Sequence, residues 1–504
     1  KISIMKLTWT WAILGAFFWF SPIWGQEGIR HFELDYPQLG TRKIAIWAPK
    51  NTSSKDSLQV LVLMDGQMLF DGTTTWNQQE WRVDEIMDSL MLQKAIPPTL
   101  VIGLWHAEKQ RRAEYFPQKV YEQLGREELV RVQELWQATL DPSDQAPVPY
   151  SDNFTDWIAQ KVLPFVYTQY PNAHRTPQHN FIGGSSMGGL LAWYAHLEHP
   201  EVFGGSMSMS THWPGLYTLD NNPLPAAFKR YLEKNLPNTP VGSWYFDTGN
   251  QTLDAMYPKW QAQVDQVLAT KGYGPRHWQS RYEPKGAHTE KDWSRRLPAA
   301  LVWLLNTEKP LRYLALGDSY TIGESVTFDQ RWTTQLAERW STNGAKWKTT
   351  TIAKTGWTTD ELNQALNEAD LALPYDRVSL LIGVNNQYRG REVEPYRFEL
   401  NGLIQRAIGY AGGRKDEVFL VSIPDWGVTP FAEKRDIALI AQQIDQYNEA
   451  MHQEAKAHGL NWIDITPISR RKSVQSDWIA PDGLHPGPSM YQAWVEKIRE
   501  TIPQ

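Results

Sequence analysis

From residue 27 to the C-terminus, short apolar runs rich in β-branched side chains alternate with helical patterns. That alternation admits few architectures besides an α/β fold built on a largely parallel sheet. Residues 43–47, 59–64 and 99–104 read as strands, and 85–93 and 154–170 as helices. Residues 118–150 are polar and partly helical, and read as a surface insertion in preference to a lid. Near residue 307 the pattern restarts. Residues 299–306 read as a closing helix, 307–310 as a polar break and 311–316 as a new first strand. A chain of 504 residues exceeds one ordinary domain. The expected organisation is a leader at 1–25, a domain at 26–306, a linker at 307–310 and a second domain at 311–504. So short a linker predicts packed domains.

Composition removes several function classes. A net charge of −6 is mild for this length and argues against a nucleic acid or anionic membrane as partner. Cysteine is absent, which excludes disulfides, thiolate metal sites, a cysteine nucleophile and a lipoprotein anchor. The 25 tryptophans are read mainly as core, with a sugar-facing subset as the second use. Lys6 follows Met5, the run 9–20 is apolar, and Gly25 offers a small residue for cleavage, so the N-terminus reads as a secretory signal. The apolar stretch is short for a membrane span. The mature protein is expected to be secreted or periplasmic, with no stable membrane anchor.

Two constellations carry chemistry. The first is Gly184-Ser185-Ser186-Met187-Gly188, between an apolar strand end and a helical run. A serine on so tight a strand-to-helix turn is lifted above the sheet at a helix N-terminus, the context of a nucleophile elbow. Serine needs a base and an orienting acid. His288, in the loop after the strand 278–282, is the expected base. His196 and His199 read as a surface pair, and His212 as a possible pocket wall. Two carboxylates are available, Asp247 within the strand 243–249 and Asp254 in the loop that follows, and Asp254 is preferred because an acid there can turn back towards His288. The N–H groups of Met187 and Gln67 are the expected oxyanion donors.

The second constellation begins with Gly317-Asp318-Ser319, directly after the restarted first strand. Asp482 and His485, three residues apart near the C-terminus, let one loop present acid and base together. Gly356 follows the strand 348–352, and 380–385 reads as another strand, ending in the Asn385 amide. With Ser319 N–H they offer three donors to one oxyanion. An ordered serine, glycine, asparagine and Asp-x-x-His, each at a strand end, is far more specific than any one piece.

Asp65-Gly66-Gln67, the segment 112–117, Gly184–Gly189 and Gly286-Ala287-His288 together resemble the putative-esterase family of α/β-hydrolases over residues 28–305. Where many of that family read G-T-x-D or G-T-x-E after the late strand, this chain reads Gly249-Asn250-Gln251-Thr252. Ser319, Gly356, Asn385, Asp482 and His485 resemble the SGNH (GDSL) hydrolases over residues 311–502, with Asn386 where many members carry aspartate. The resemblances imply an α/β-hydrolase domain followed by a flavodoxin-like three-layer α/β/α domain. They imply serine esterase chemistry in both, with no metal or organic cofactor. The expected function is removal of acetyl or feruloyl groups from polysaccharide. A lipid or thioester hydrolase working through Ser319, or one esterase joined to a non-catalytic carbohydrate-binding domain, are the other two readings.

Overall fold

The computed structural model describes residues 28–37, 40–50, 56–107, 110–139, 148–341, 345–471 and 475–503. The expected leader at 1–25 lies outside them, as does most of the loose tail of the 118–150 insertion. The insertion itself carries the helices Gln118–Glu122 and Arg126–Gln137. Among the described residues no helix is long and apolar enough to cross a membrane.

Among the described residues, fourteen strands form two sheets. In chain order they are β1 (Ile29–Tyr36), β2 (Gly40–Trp47), β3 (Gln59–Met64), β4 (Thr99–Leu104), β5 (Asn180–Ser185), β6 (Gly205–Met209) and β7 (Ser243–Thr248). Then follow β8 (Trp278–Tyr282), β9 (Leu311–Gly317), β10 (Trp347–Ala353), β11 (Ala372–Leu373), β12 (Arg377–Leu381), β13 (Val418–Val421) and β14 (Asn461–Ile463). The first sheet runs β1-β2-β4-β3-β5-β6-β7-β8-β11 and the second β10-β9-β12-β13-β14.

The central strands of the first sheet are parallel and covered on both faces. Val60, Val62 and Met64 of β3 enter one core, and Leu61 and Leu63 enter the core on the opposite side. Such strands read as unbroken apolar runs because both faces are dry. The second sheet is all parallel, with its first strand inside and its second at the edge. That order reverses beside β9, the switch point at which open α/β sheets leave a crevice beyond their strand ends.

Two local expectations are corrected. The run 380–385 is not one strand: β12 stops at Leu381, Gly383 takes φ 127°, and the helix Val384–Tyr388 carries Asn385. The helix expected at 154–170 spans Ser151–Gln169 and contains a wide turn, Ile158–Val162. Pro164 explains the wide turn, since it lacks an N–H and its ring crowds the preceding turn. One pairing crosses between the halves: β11 leaves the second half of the chain to pair with β8, so it edges the first sheet. Arg281 and Asp370 close that seam with an ion pair of 2.5 Å.

Candidate active sites

The first site stands where the parallel strands end. Their register aligns Ser185 with Met209 and Met209 with Asp247, and Thr248 with Tyr282. Ser186 follows β5 with φ 55° and ψ −119°, a conformation that costs a side-chain-bearing residue about 1–3 kcal/mol. Its glycine neighbours make the turn feasible. A Cβ on Gly184 would lie 2.8 Å from the Gly188 carbonyl carbon, and one on Gly188 would lie 3.0 Å from Met64 Cβ. The serine is pinned through its backbone: its N–H donates to Met209 O at 3.0 Å, and His212 N–H donates to Ser186 O at 3.2 Å.

Ser186 caps the helix Met187–Glu198, whose first N–H groups have no acceptor within the helix. Met187 opens that helix. Gln67 sits in the turn Gly66–Met68, just beyond the β3 end that Gly188 abuts. The two expected oxyanion donors are therefore on adjoining segments.

The two candidate acids divide cleanly. Asp254 Oδ1 lies 2.6 Å from His288 Nδ1. Its other oxygen accepts from Ser210 Oγ at 2.7 Å and Gly249 N at 2.8 Å. Burial pushes the Asp254 carboxyl up, but the His288 bond and charge, Arg296 and Ser210 outweigh it and hold it below the ordinary range. Asp247 instead accepts from Ser210 N and Arg296 Nη1, each at 3.0 Å, and burial raises its carboxyl. The structure thus brings Asp254 to the imidazole and leaves Asp247 away from it, with Arg296 between the two carboxylates.

Ser186 does not meet His288 in the expected way. Burial raises the Tyr257 phenol well above its ordinary value, against the pull of the Ser186 hydroxyl, and the phenol oxygen lies 2.7 Å from His212 Nδ1. The Tyr257 ring stands edge-on to the His288 ring at 5.7 Å. Nucleophile and imidazole therefore flank one tyrosine. Contacts of this kind often tighten only when substrate binds.

The second site is fully assembled. Register aligns Gly317 of β9 with Ala353 of β10 and Leu381 of β12, so the loops carrying Ser319, Gly356 and Asn385 leave the sheet side by side. His485 Nε2 lies 2.9 Å from Ser319 Oγ, and Nδ1 lies 2.6 Å from Asp482 Oδ2. Asp482 Oδ1 accepts the N–H groups of Leu484 at 2.9 Å and His485 at 3.0 Å, and Ser325 Oγ donates to Oδ2 at 2.7 Å. Burial raises this carboxyl, but those bonds outweigh it and keep Asp482 well below the carboxylate range. Ionised, it orients the ring and favours a positive imidazolium.

The oxyanion side is braced by side chains. Asn385 donates through Nδ2 to Trp357 O at 3.0 Å, which leaves a second amide hydrogen for a ligand. Arg389 donates to Gly356 O at 2.6 Å. Asn386 accepts from Thr359 N at 3.1 Å and donates to Thr359 Oγ1 at 2.7 Å. The Thr359 hydroxyl in turn bonds Glu399. An aspartate at 386 would compete with Glu399 for that hydroxyl hydrogen, so the departure from the usual motif is matched by its neighbours.

Residues 39–304 match the Esterase model, described as "Putative esterase". The chain belongs to that esterase family. Residues 315–493 of the same esterase match the GDSL-like Lipase/Acylhydrolase family. The uncharacterized protein YbbA of Bacillus subtilis (strain 168) is 24% identical over 285 residues, covering 53% of this chain and 94% of the relative. Among solved structures, an enterochelin esterase from Shigella flexneri aligns at 17% identity and TM-score 0.39, over 56% of this chain and 60% of that one. The esterase thus spans about 60% of that protein's length. A ferulic acid esterase aligns at 15% identity and TM-score 0.37, over 56% of this chain and 98% of its own. The protein is a serine carboxylic ester hydrolase of mixed α/β architecture.

Several residues of the esterase's sites escape sequence reasoning. Arg296, Ser210 and Ser325 act on the acids from afar in sequence, and only the fold brings them there. Tyr257 lies three residues after Asp254, and no motif marks it.

Proposed function

We propose that this esterase has two independent acyl-transfer sites, Ser186–His288–Asp254 and Ser319–His485–Asp482, and that it removes acyl groups from polysaccharide outside the cytoplasm. The observation that carries the reading is the bonded chain Ser319–His485–Asp482, with contacts of 2.9 and 2.6 Å. In each site the serine Oγ attacks the ester carbonyl carbon and His Nε2 takes its proton. The carbonyl oxygen becomes an oxyanion held by Met187 and Gln67 N–H in one site, and by Ser319 N–H, Gly356 N–H and Asn385 in the other. The tetrahedral species collapses, the C–O bond to the alcohol breaks, and the imidazolium protonates the departing alkoxide. Water then repeats the sequence on the acyl-serine.

Two ester-cleaving units on one chain suit a substrate with more than one acyl decoration. Trp76, 85% exposed, stands beside Asn77, which donates to Glu290 two residues past His288, and offers a face on which a sugar ring could stack. The test is a panel of acetyl, feruloyl and long-chain esters, with acetylated and feruloylated glycans, run on Ser186→Ala, Ser319→Ala and the double variant. Each single variant is expected to lose a different part of the panel, and the double variant all of it. If Ser186→Ala changes no hydrolysis rate while glycan binding persists, the N-terminal unit is a binding module instead.

A further inference from the structure

Exposed large apolar side chains gather beside the second site. Tyr388 is 48% exposed, and Val428 and Phe431 are each 46% exposed, whereas Trp426 lies buried among them. The Tyr388 and Trp426 rings are 5.5 Å apart, Trp426 and Phe431 6.0 Å, and Tyr388 and Phe431 6.4 Å. Arg435, 5.9 Å over Tyr388, marks the polar edge of the patch. A contiguous apolar surface of this kind, rimmed by polar groups, marks a place where something apolar binds.

The cluster is fastened to both walls of the site. Tyr388 and Asn385 are three residues apart on the helix Val384–Tyr388, hence on one face of it. Phe431 N–H donates to Gly483 O at 3.0 Å, inside the loop that presents Asp482 and His485. Trp426 is fixed by its own bond to Gln387 Oε1 at 2.8 Å. One end of the patch therefore borders the oxyanion amide and the other borders the base.

We propose that Tyr388, Trp426 and Phe431 form an acyl shelf, and that the second site prefers esters whose acyl group is apolar and larger than acetyl. This rests on Ser319 being the nucleophile. The acyl group is the occupant because it stays bonded to Ser319 through both half-reactions, whereas the alcohol leaves once His485 has protonated it. A fixed apolar surface next to the oxyanion amide serves the group that remains.

The experiment uses the full chain carrying Ser186→Ala, so that the second site alone reports. kcat/KM is measured on p-nitrophenyl esters from acetate to octanoate, on p-nitrophenyl phenylpropanoate, and on alkyl acetates of rising alcohol length. The acyl series is expected to rise about 2- to 4-fold per methylene, with no such rise in the alcohol series. Tyr388→Ser and Phe431→Ser are each expected to lower the octanoate-to-acetate ratio at least fivefold. Phe398→Ser, at a residue 83% exposed on another helix, is expected to leave that ratio alone. A flat acyl profile, or a ratio unmoved by both shelf variants, overturns the shelf while Ser319 stands. A rise with alcohol length overturns the acyl assignment. Hydrolysis that survives Ser319→Ala in the same background overturns the nucleophile and the shelf together.

Discussion

Asp247 and Asp254 are both fully buried, and a single guanidinium serves them. Arg296, itself fully buried at its side chain, lies 3.0 Å from Asp247 and 3.5 Å from Asp254, and donates to Ser210 Oγ at 2.8 Å. A planar fork can meet two carboxylates and a hydroxyl at once, which an ammonium cannot reproduce. Arg296→Met keeps the volume but strands two anions in the core. The expected loss is about 3–5 kcal/mol of stability, read as a lower urea midpoint. Arg296→Lys should recover part of the stability and leave Asp254 less well held, so Ser186-dependent hydrolysis stays depressed. If Arg296→Met costs under about 1 kcal/mol, the carboxylates are already compensated by other groups.

At the scale of elements, the loops after β7 and β8 are stitched together to hold His288. Asn250 and Gln251 N–H both donate to Gly286 O, at 3.1 and 2.9 Å, and His288 N–H donates to Thr252 Oγ1 at 2.9 Å. A Cβ on Gly249 would lie 2.1 Å from Gly286 O, a backbone atom that cannot step aside alone. Gly249→Ala should push the His288 segment outward. Displacement by about 1 Å costs on the order of 10²-fold in rate, so Ser186-dependent hydrolysis should fall by that much and Ser319-dependent hydrolysis should not. Equal loss at both serines would show that the damage is global. The same stitching explains what the sequence could and could not tell. Strands buried on both faces, such as β3 and β4, were legible because their apolar runs are unbroken. The elbow and the Asp482–His485 loop were legible because their chemistry is local. The choice between Asp247 and Asp254 was open because it is decided by Arg296, more than forty residues on. The run 380–385 read as one strand because only Gly383, at φ 127°, interrupts it. The two residues of β11 carry no periodicity, and their partner lies in the other half of the chain.

The whole molecule responds to acid through buried groups that pull in opposite directions. His196 reads from the sequence as a surface residue, yet it is 1% exposed and stacks on Trp244 at 4.1 Å. Burial pushes it down to about 3, and burial with the nearby charges of His288, Arg112 and Arg111 does the same to His212. An unfolded histidine titrates near 6.5, so below that pH the unfolded chain binds protons that the native state refuses. The stability these histidines confer is complete above about 6.5 and drains away as pH falls towards 3. Burial raises Asp265 and Asp318 to about 7, which has the opposite sign: native protein binds those protons first and gains as pH falls from 7 towards 4. The net profile is thus a difference of comparable quantities, and a variant isolates one of them. Compared with His196→Gln, the wild type should lose up to about 1.4 kcal/mol per pH unit below 6.5. Urea midpoints of both proteins at pH 7 and pH 5 measure this directly. A gap that does not change with pH would mean that His196 is already solvated or charged in the native state, and that the core around Trp244 opens to water.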